Sequence, residues 1–158
     1  MKNQTYTLSS GPKLALVFLL TETGALKIHI TESPSFTFSF FVDLPPLLKE
    51  DLLAWQVAYS NKEPLALLNL PGQILPPFSK KVLRSLEEIP FGKTLSYGEI
   101  ALLSGSPKAS RAVGTICRLN AWPLFIPCHR VVPQKGNIGT YAFGYSIKKE
   151  LLEFEGAI

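Results

Sequence analysis

The adjacent residues Cys128 and His129 carry the clearest potential for chemistry in this sequence. A cysteine is a strong nucleophile only as a thiolate, and forming the thiolate requires a base or a positive charge nearby. A turn at Pro-Cys-His-Arg lets the two side chains meet, directly or through a water, so that His129 could accept the thiol proton. Glu155 is the candidate acid that would orient His129. The alternative is a buried structural cysteine beside a hydrogen-bonded histidine, which is the commoner meaning of an isolated Cys-His pair.

The elements that must position this pair lie in a helical second half. Apolar residues at helical spacing predict helices over residues 78–88, 96–104, 107–119 and 147–154. Gly105 and Ser106 separate the second helix from the third, which makes a helix-turn-helix candidate, and Pro107 suits the first turn of the third helix. Residues 120–145 form an irregular stretch whose length is typical of functional loops.

The predicted helix over residues 107–119 has two contrasting faces. The residues predicted to face the core are Ala109, Ala112, Val113 and Ile116. The residues predicted to face outward are Arg111, Gly114, Thr115 and Arg118. Small and cationic residues let a helix backbone approach a nucleic-acid groove closely, whereas the alternative is an ordinary solvated face with two arginines.

The first half is predicted to form a small sheet. Alternating or continuous apolar residues predict strands over Leu14–Leu20, residues 26–30 and Phe36–Phe40, followed by a helix over residues 47–58. Residues 59–77 are rich in proline and read as a connection. We therefore predict an α+β protein with an N-terminal sheet-containing domain, residues 1–77, and a C-terminal helical domain, residues 78–158.

Charge and cysteine content narrow the possible classes. Residues 1–78 carry five lysines and six acids, a net charge of −1, whereas residues 79–158 carry seven lysines, four arginines and six acids, a net charge of +5. A basic domain attracts phosphate, although solubility alone explains the charge equally well. Two cysteines and two histidines predict neither a disulfide scaffold nor a metal site, and favour a reducing, cytoplasmic setting. The longest apolar run, Leu14–Leu20, is too short to span a membrane, and no signal-peptide cleavage site follows it.

Several separate blocks in the basic half resemble one known family. They are Ile89-Pro-x-Gly92, Ser96-Tyr-Gly-Glu-Ile-Ala101, Ala109-Ser-Arg-Ala-Val-Gly114, Asn120, Pro127-Cys-His-Arg-Val-Val132, Gly136-x-x-Gly139-x-Tyr141-x-x-Gly144, and Lys148-x-x-Leu-Leu152 with Glu155. Their order and content are similar to those of the O6-alkylguanine-DNA alkyltransferases (methylated-DNA–protein-cysteine methyltransferases). The first half resembles this family only in type, as a small sheet-containing domain.

The resemblance implies a catalytic role for five residues. Cys128 would accept the alkyl group from the damaged base irreversibly, so that each molecule acts once and needs no cofactor. His129 would deprotonate the thiol through a water, with Glu155 polarising the imidazole. Tyr141 would donate its hydroxyl proton to the guanine leaving group, and Asn120 would brace the loop before the cysteine.

The resemblance also implies how double-stranded DNA would be bound. Arg111 would enter the base stack in place of the extruded nucleotide, and Tyr97 would press on the neighbouring phosphate. The helix would lie in the minor groove, with contacts from Ala109, Ser110, Gly114 and Thr115. The family resemblance implies a monomer without a membrane association, in the cytoplasm or, in a eukaryote, the nucleus.

The sequence departs from the family pattern at a few positions. Phe143 stands where small residues are frequent, so it could narrow the pocket for groups larger than methyl. The zinc site of some members is absent, because the first half offers only His29 as a ligand. Cys117 is expected to be a small core residue rather than a second nucleophile.

Two other functions remain as alternatives. A non-enzymatic alkyltransferase-like module would recognise the lesion without repairing it, but such modules lack the acceptor cysteine that Cys128 provides. A cysteine hydrolase using Cys128 and His129 would need turnover and an oxyanion hole, and would leave the Arg111 helix unexplained.

Overall fold

The computed structural model describes residues 3–72, 74–134 and 136–158. The chain divides into two compact units. The boundary along the sequence lies between Pro71 and Gly72, six residues before the predicted boundary between residues 77 and 78. A mixed sheet in the first unit and helices in both make this an α+β protein, as predicted. None of the helices in the described ranges is long and apolar enough to cross a membrane.

The first unit is built on a four-stranded sheet with the order β1-β4-β2-β3. The strands are β1 (Gln4–Leu8), β2 (Leu14–Leu20), β3 (Leu26–Glu32) and β4 (Phe36–Phe40). Strand β2 pairs antiparallel with β3 and parallel with β4, and β1 pairs antiparallel with β4. Three of these strands were predicted. The fourth, β1, is a largely exposed edge strand whose polar residues give no apolar alternation.

One face of this sheet is apolar and packs against helix α1 (Pro46–Ser60). The alternate residues Phe36 and Phe38 of β4 are buried, and Phe18 of β2 stacks on Phe40 with ring centroids 4.5 Å apart. The buried Gln56 of α1 donates hydrogen bonds to the backbone carbonyls of Tyr6 and Phe36, over 3.1 and 3.3 Å. The helix therefore ties together the two paired strands β1 and β4.

The second unit is mainly helical. Its elements are α2 (Pro77–Glu87), β5 (Leu95–Ser96), α3 (Tyr97–Leu103), α4 (Ser110–Arg118), a 3₁₀ turn (Cys128–Arg130), β6 (Val131–Val132) and α5 (Tyr145–Phe154). The four predicted helices are present, with α3 and α4 packed on each other. The short strands β5 and β6 pair in parallel, which joins the segment before α3 to the segment after the 3₁₀ turn.

Two predictions about α4 are wrong. The helix begins at Ser110 rather than Pro107, because the amide of Ala109 donates to the carbonyl of Ser106 over 2.9 Å and closes a turn over Pro107 and Lys108. The second position of such a turn favours proline, because the φ angle of proline is already fixed near the value that the turn requires. Ala112 is exposed rather than in the core; only Val113 of this helix is fully buried.

Candidate active site

Cys128 sits at the start of the 3₁₀ turn, at the end of a loop that hydrogen bonds hold in place. The side-chain amide of Asn120 donates to the carbonyl of Ile126 over 2.8 Å, and its oxygen accepts from the amide of Trp122 over 3.0 Å. Within the same loop Leu124 is buried with a φ of 74°, a strained conformation that persists only where the surroundings impose it. The loop therefore presents the Cys128 thiol from a fixed backbone.

His129 and Arg130 both bind the carboxylate of Glu155, the C-cap residue of α5. Nε2 of His129 lies 2.7 Å from Oε2 of Glu155, while Nε of Arg130 donates to Oε1 over 2.7 Å and Nη2 to Oε2 over 3.1 Å. All three side chains are buried. The structure thus brings together His129 and Glu155, as the sequence predicted, and adds Arg130, which sequence reasoning did not single out.

The protonation states of this cluster follow from burial and charge. Burial lowers the pKa of His129, more than the nearby Glu155 raises it, so the ring is neutral at neutral pH. Burial alone would raise the pKa of Glu155, but His129, whose ring becomes charged as the pH falls, and Arg130 outweigh it through their charges and hydrogen bonds and hold this pKa well below its usual range. With His129 neutral, Arg130 is the cation that balances the Glu155 carboxylate.

The hydrogen bond to Glu155 fixes the tautomer of His129. An ionised carboxylate can only accept, so Nε2 carries the ring proton and Nδ1 keeps its lone pair. Nδ1 is buried and has no hydrogen-bond partner among the residues that the structure describes. His129 therefore holds a basic nitrogen inside the site.

The thiol of Cys128 is protonated in the resting site. Burial raises its pKa, against the opposing effects of the Asn120 amide, the Lys148 charge and the Tyr141 hydroxyl. A base is therefore needed to form the thiolate, and His129 is the neighbouring group with a lone pair to supply one.

Lys148 is a second buried cation, and the sequence analysis assigned it no role although it lies in one of the family blocks. Its Nζ donates to the carbonyl of Val131 over 2.7 Å and to that of Thr140 over 3.1 Å. Burial lowers its pKa to about 8, although the Cys128 and Cys117 thiols oppose this shift. The available signal was its spacing, because Lys148 shares a face of α5 with the buried Leu151 and Leu152.

Cys128 and Tyr141 line one cavity of about 760 Å³. The hydroxyl of Tyr141 is buried, and burial together with the nearby Cys128 raises its pKa well above the usual value, so it stays protonated. Phe143 does not line the cavity but packs edge-on against Tyr141, with ring centroids 5.5 Å apart, and Ala142 forms the wall instead. The expectation that Phe143 narrows the pocket is therefore not met.

Cys117 also lines this cavity, so its predicted place in the core is wrong. It is half-buried on α4. Burial, with the Cys128 thiol, raises its pKa to about 12, so it remains a thiol at neutral pH. Among the described residues, no group of three or more His, Cys, Asp or Glu side chains could hold a metal ion.

The outer face of α4 lines one side of the cavity. The predicted DNA-binding residues that line it are Tyr97, Ser110, Arg111, Gly114 and Thr115, joined by Arg118. Ala109, which is half-buried at the N-cap of α4, does not line the cavity. Nη2 of Arg118 donates to the hydroxyl of Thr115 over 3.1 Å, and the Arg111 side chain is exposed.

Tyr97 owes its position to the start of α3 and packs against α4 at Gly114. The Ser96 hydroxyl accepts from the amide of Glu99 over 3.0 Å while the Glu99 carboxylate accepts from the amide of Ser96 over 2.6 Å, a capping box that fixes the first turn. A Cβ at Gly114 would lie 3.8 Å from the Tyr97 ring. Tyr97 therefore lies directly over the backbone of α4.

The comparison with known protein families gives a match to most of the second unit. Residues 77–157 match the model described as the 6-O-methylguanine DNA methyltransferase DNA-binding domain. This stretch contains every cavity-lining residue and the Glu155 cluster. The chain belongs to the 6-O-methylguanine DNA methyltransferase family. The resemblance found in the sequence is thereby confirmed.

Named relatives and solved structures agree with membership of the methyltransferase family. The chain is 49% identical over 80 residues to a methylated-DNA--protein-cysteine methyltransferase of Methanosarcina acetivorans, covering 51% of each chain. It is 40% identical over 110 residues to the human protein of that name, covering 65% of this chain and 53% of the relative. This chain thus spans about half the length of these relatives. The crystal structure of Mycobacterium tuberculosis OGT in complex with DNA has a TM-score of 0.61 and 28% identity, over 89% of this chain and 92% of that one.

Proposed function

We propose that this protein repairs O6-alkylguanine, chiefly O6-methylguanine, in double-stranded DNA by transferring the alkyl group to Sγ of Cys128. The observation that carries the proposal is the placement of the thiol. Cys128 lines a cavity beside a buried His129-Glu155 pair, and the exposed arginines of α4 line the same cavity. The names of the relatives and the DNA complex of the Mycobacterium tuberculosis protein support it.

The chemistry follows from the protonation states of the site. Nδ1 of His129 takes the thiol proton through a water, and the thiolate attacks the alkyl carbon. A carbon–sulfur bond forms while the bond between carbon and the guanine oxygen breaks, with its electron pair passing to the guanine. Tyr141 donates its hydroxyl proton to that leaving group and recovers a proton from His129. The net result is a thioether on Cys128 and an unmodified, neutral guanine.

The lesion must leave the base stack to reach Cys128. A thiolate cannot attack the alkyl carbon in line while the guanine is stacked, and extrusion costs a few kcal/mol. We assign Arg111 to the gap in the stack and Tyr97 to the neighbouring phosphate. Helix α4 lies in the minor groove, contacting DNA through Ala109, Ser110, Gly114 and Thr115. Binding is then mostly to the backbone and depends strongly on salt.

The reaction runs once for each molecule, which acts as a monomer. The thioether at Cys128 is chemically stable, and neither His129 nor Tyr141 supplies a nucleophile that could remove the alkyl group. The damaged base is itself the alkyl donor, so no cofactor enters the reaction.

The test is the intact mass of the protein after mixing with an excess of duplex that carries one O6-methylguanine. We expect a gain of one methyl group, mapped to Cys128, that does not increase further, and no gain in Cys128→Ala. Unchanged mass with lesion-selective binding would favour a recognition module without transfer activity. Neither alkylation nor binding would overturn the proposal and would redirect the search to thiol hydrolase substrates.

A further inference from the structure

The Arg130 side chain, next to His129 in the sequence, donates three hydrogen bonds inside the site. Its guanidinium donates to both carboxylate oxygens of Glu155, and Nη1 donates to the carbonyl of Ile89 over 2.8 Å. Its central carbon lies 5.7 Å from the centroid of the Phe91 ring. Only 5% of the residue is exposed. The guanidinium is therefore fixed in place against the Glu155 carboxylate, where it shares Oε2 with Nε2 of His129 and alone contacts Oε1.

This arrangement leaves the buried cluster electrically neutral. The positive charge of Arg130 balances the negative charge of Glu155, and His129 needs no charge of its own. The charged groups that act on the imidazole are Glu155, Arg130 and Lys148, beside the neutral thiol of Cys128. Both Arg130 and Lys148 disfavour a proton on His129, whereas Glu155 favours one.

Removing the guanidinium would upset this balance in a predictable direction. A buried carboxylate without a cationic partner is strongly unfavourable, so the cluster would take up a proton. An imidazole accepts a proton more readily than a carboxylate does. The proton would therefore go to Nδ1 of His129, which is the nitrogen that the proposed reaction needs as its base.

We propose that Arg130 is a positioning residue that keeps Nδ1 of His129 available as a base, by carrying the charge that balances Glu155. This inference rests on the proposed function for its consequence in alkyl transfer, but not for its effect on His129. A merely structural Arg130 would brace the turn at Ile89 and leave the protonation of His129 unchanged.

The first experiment follows the two ring nitrogens of His129 by NMR of protein with ¹⁵N-labelled histidine. The chain has two histidines, and a His29→Gln variant assigns the other signal. At neutral pH the wild type should show a proton on Nε2 alone. Arg130→Gln should show protons on both nitrogens and titrate at higher pH, and Arg130→Lys should restore the neutral ring. An Arg130→Gln ring that titrates as in the wild type would overturn the proposal.

A second pair of variants covers the case in which Arg130→Gln alone does not fold. Glu155→Gln keeps the Arg130 charge without its partner, whereas the double variant R130Q/E155Q removes both charges. His129 should titrate at lower pH in the single variant than in the double variant, because only the single variant retains the guanidinium charge. Identical titration of the two variants would show that Arg130 has no electrostatic effect on His129.

The rate of methyl transfer as a function of pH separates this inference from the proposed function. In Arg130→Gln the acidic limb of the profile should move to higher pH, and each unit of movement slows transfer about tenfold at pH values below both midpoints. A protonated His129 with an unmoved profile would uphold the effect of Arg130 and count against His129 as the base. A wild type that transfers no methyl would overturn the proposed function, while the NMR result would still decide the effect of Arg130 on His129.

Discussion

The side-chain amide of Asn120 donates a hydrogen bond to the backbone carbonyl oxygen of Ile126 over 2.8 Å. The same oxygen accepts from the backbone amide of Cys128, also over 2.8 Å. One carbonyl therefore connects the Asn120 side chain to the backbone of the cysteine. The Asn120 amide also lowers the pKa of the Cys128 thiol, against the larger effect of burial.

Replacing Asn120 with Asp tests this connection. The carboxylate can still accept from the amide of Trp122 but cannot donate, and its charge disfavours a thiolate nearby. We expect methyl transfer to Cys128 to slow, and the free energy of unfolding to fall by about 0.5–1.5 kcal/mol, because the Ile126 carbonyl loses one hydrogen bond but keeps the Cys128 amide as a donor. Both are measured at fixed pH, by single-turnover mass spectrometry and by urea unfolding.

Asn137→Asp is the matched control for this variant. Asn137 is exposed and lines the cavity that Cys128 also lines, and its oxygen accepts from the amide of Gly139 over 2.7 Å, a bond that Asp preserves. Equal slowing in the two variants would show that a new negative charge near Cys128, rather than the lost donor, is responsible.

Because the carboxylate of Glu155 is buried and paired, we expect the free energy of unfolding to depend on pH in the acidic range. Its pKa is held well below the unfolded value of 4.5, chiefly by His129 and Arg130 acting against burial. Its contribution to the free energy of unfolding is thus fully present above that value and is lost as the pH falls through the folded pKa. We expect Glu155→Gln to cost about 3–5 kcal/mol at pH 7, because the variant leaves Arg130 buried and unpaired.

Urea unfolding of the wild type and Glu155→Gln between pH 7 and pH 3 measures this effect. The gap between the two should narrow below about pH 4.5. Glu153→Gln is the control on the same helix, because Glu153 is half exposed and lies 3.6 Å from Lys149, a surface pair worth about 0–1 kcal/mol. A gap for Glu155→Gln that stays constant with pH would contradict the ionised, paired state of this carboxylate.

We expect that Cys117 does not accept the alkyl group. It lines the same cavity as Cys128, but burial raises its pKa to about 12, and its neighbours in α4, Ile116 and Arg118, provide no base at neutral pH. We expect Cys117→Ser to accept one methyl group at the wild-type rate within about twofold, whereas Cys128→Ser accepts none. Peptide mapping after reaction identifies the acceptor, and a methyl group on Cys117 in the wild type would show that its thiol is activated after all.

The sequence predicted those helices and strands that the local spacing of apolar residues specifies. Alternation identified β4, and helical spacing identified α2 and α5. The start of α4 was missed because Pro107 suits both a first helical turn and the turn that it occupies. Local patterns thus gave element types more reliably than element boundaries.

The site was predictable where a residue acts through its neighbours in sequence. Cys128 and His129 are adjacent, and the family resemblance supplied Glu155. The contacts of Arg130 and Lys148 were not predictable, because they join residues 25 and 17 positions apart. The spacing of Lys148 on α5 signals that it is buried, but the sequence does not show which carbonyl groups it binds, nor that Arg130 binds Glu155.

Replacing Arg111 tests whether this side chain assists extrusion of the damaged base from duplex DNA. If its side chain fills the gap left by the extruded base, Arg111→Ala should slow repair of O6-methylguanine in duplex roughly tenfold to a hundredfold, because part of the extrusion cost is no longer offset. Reaction with the free modified base needs no extrusion and should change little. Single-turnover rates on both substrates, at the same protein concentration, measure the difference.

Arg118→Ala is the matched control, since Arg118 lies on the same exposed face of α4. An arginine that contacts only phosphate should, when removed, weaken binding to all duplexes alike and reduce the salt dependence of log K by about 1. It should leave the ratio of duplex to free-base rates unchanged once binding is saturated. Equal losses on duplex and free base in Arg111→Ala would rule out a role for Arg111 in extrusion, and would assign it instead to the shape of the cavity that both substrates enter.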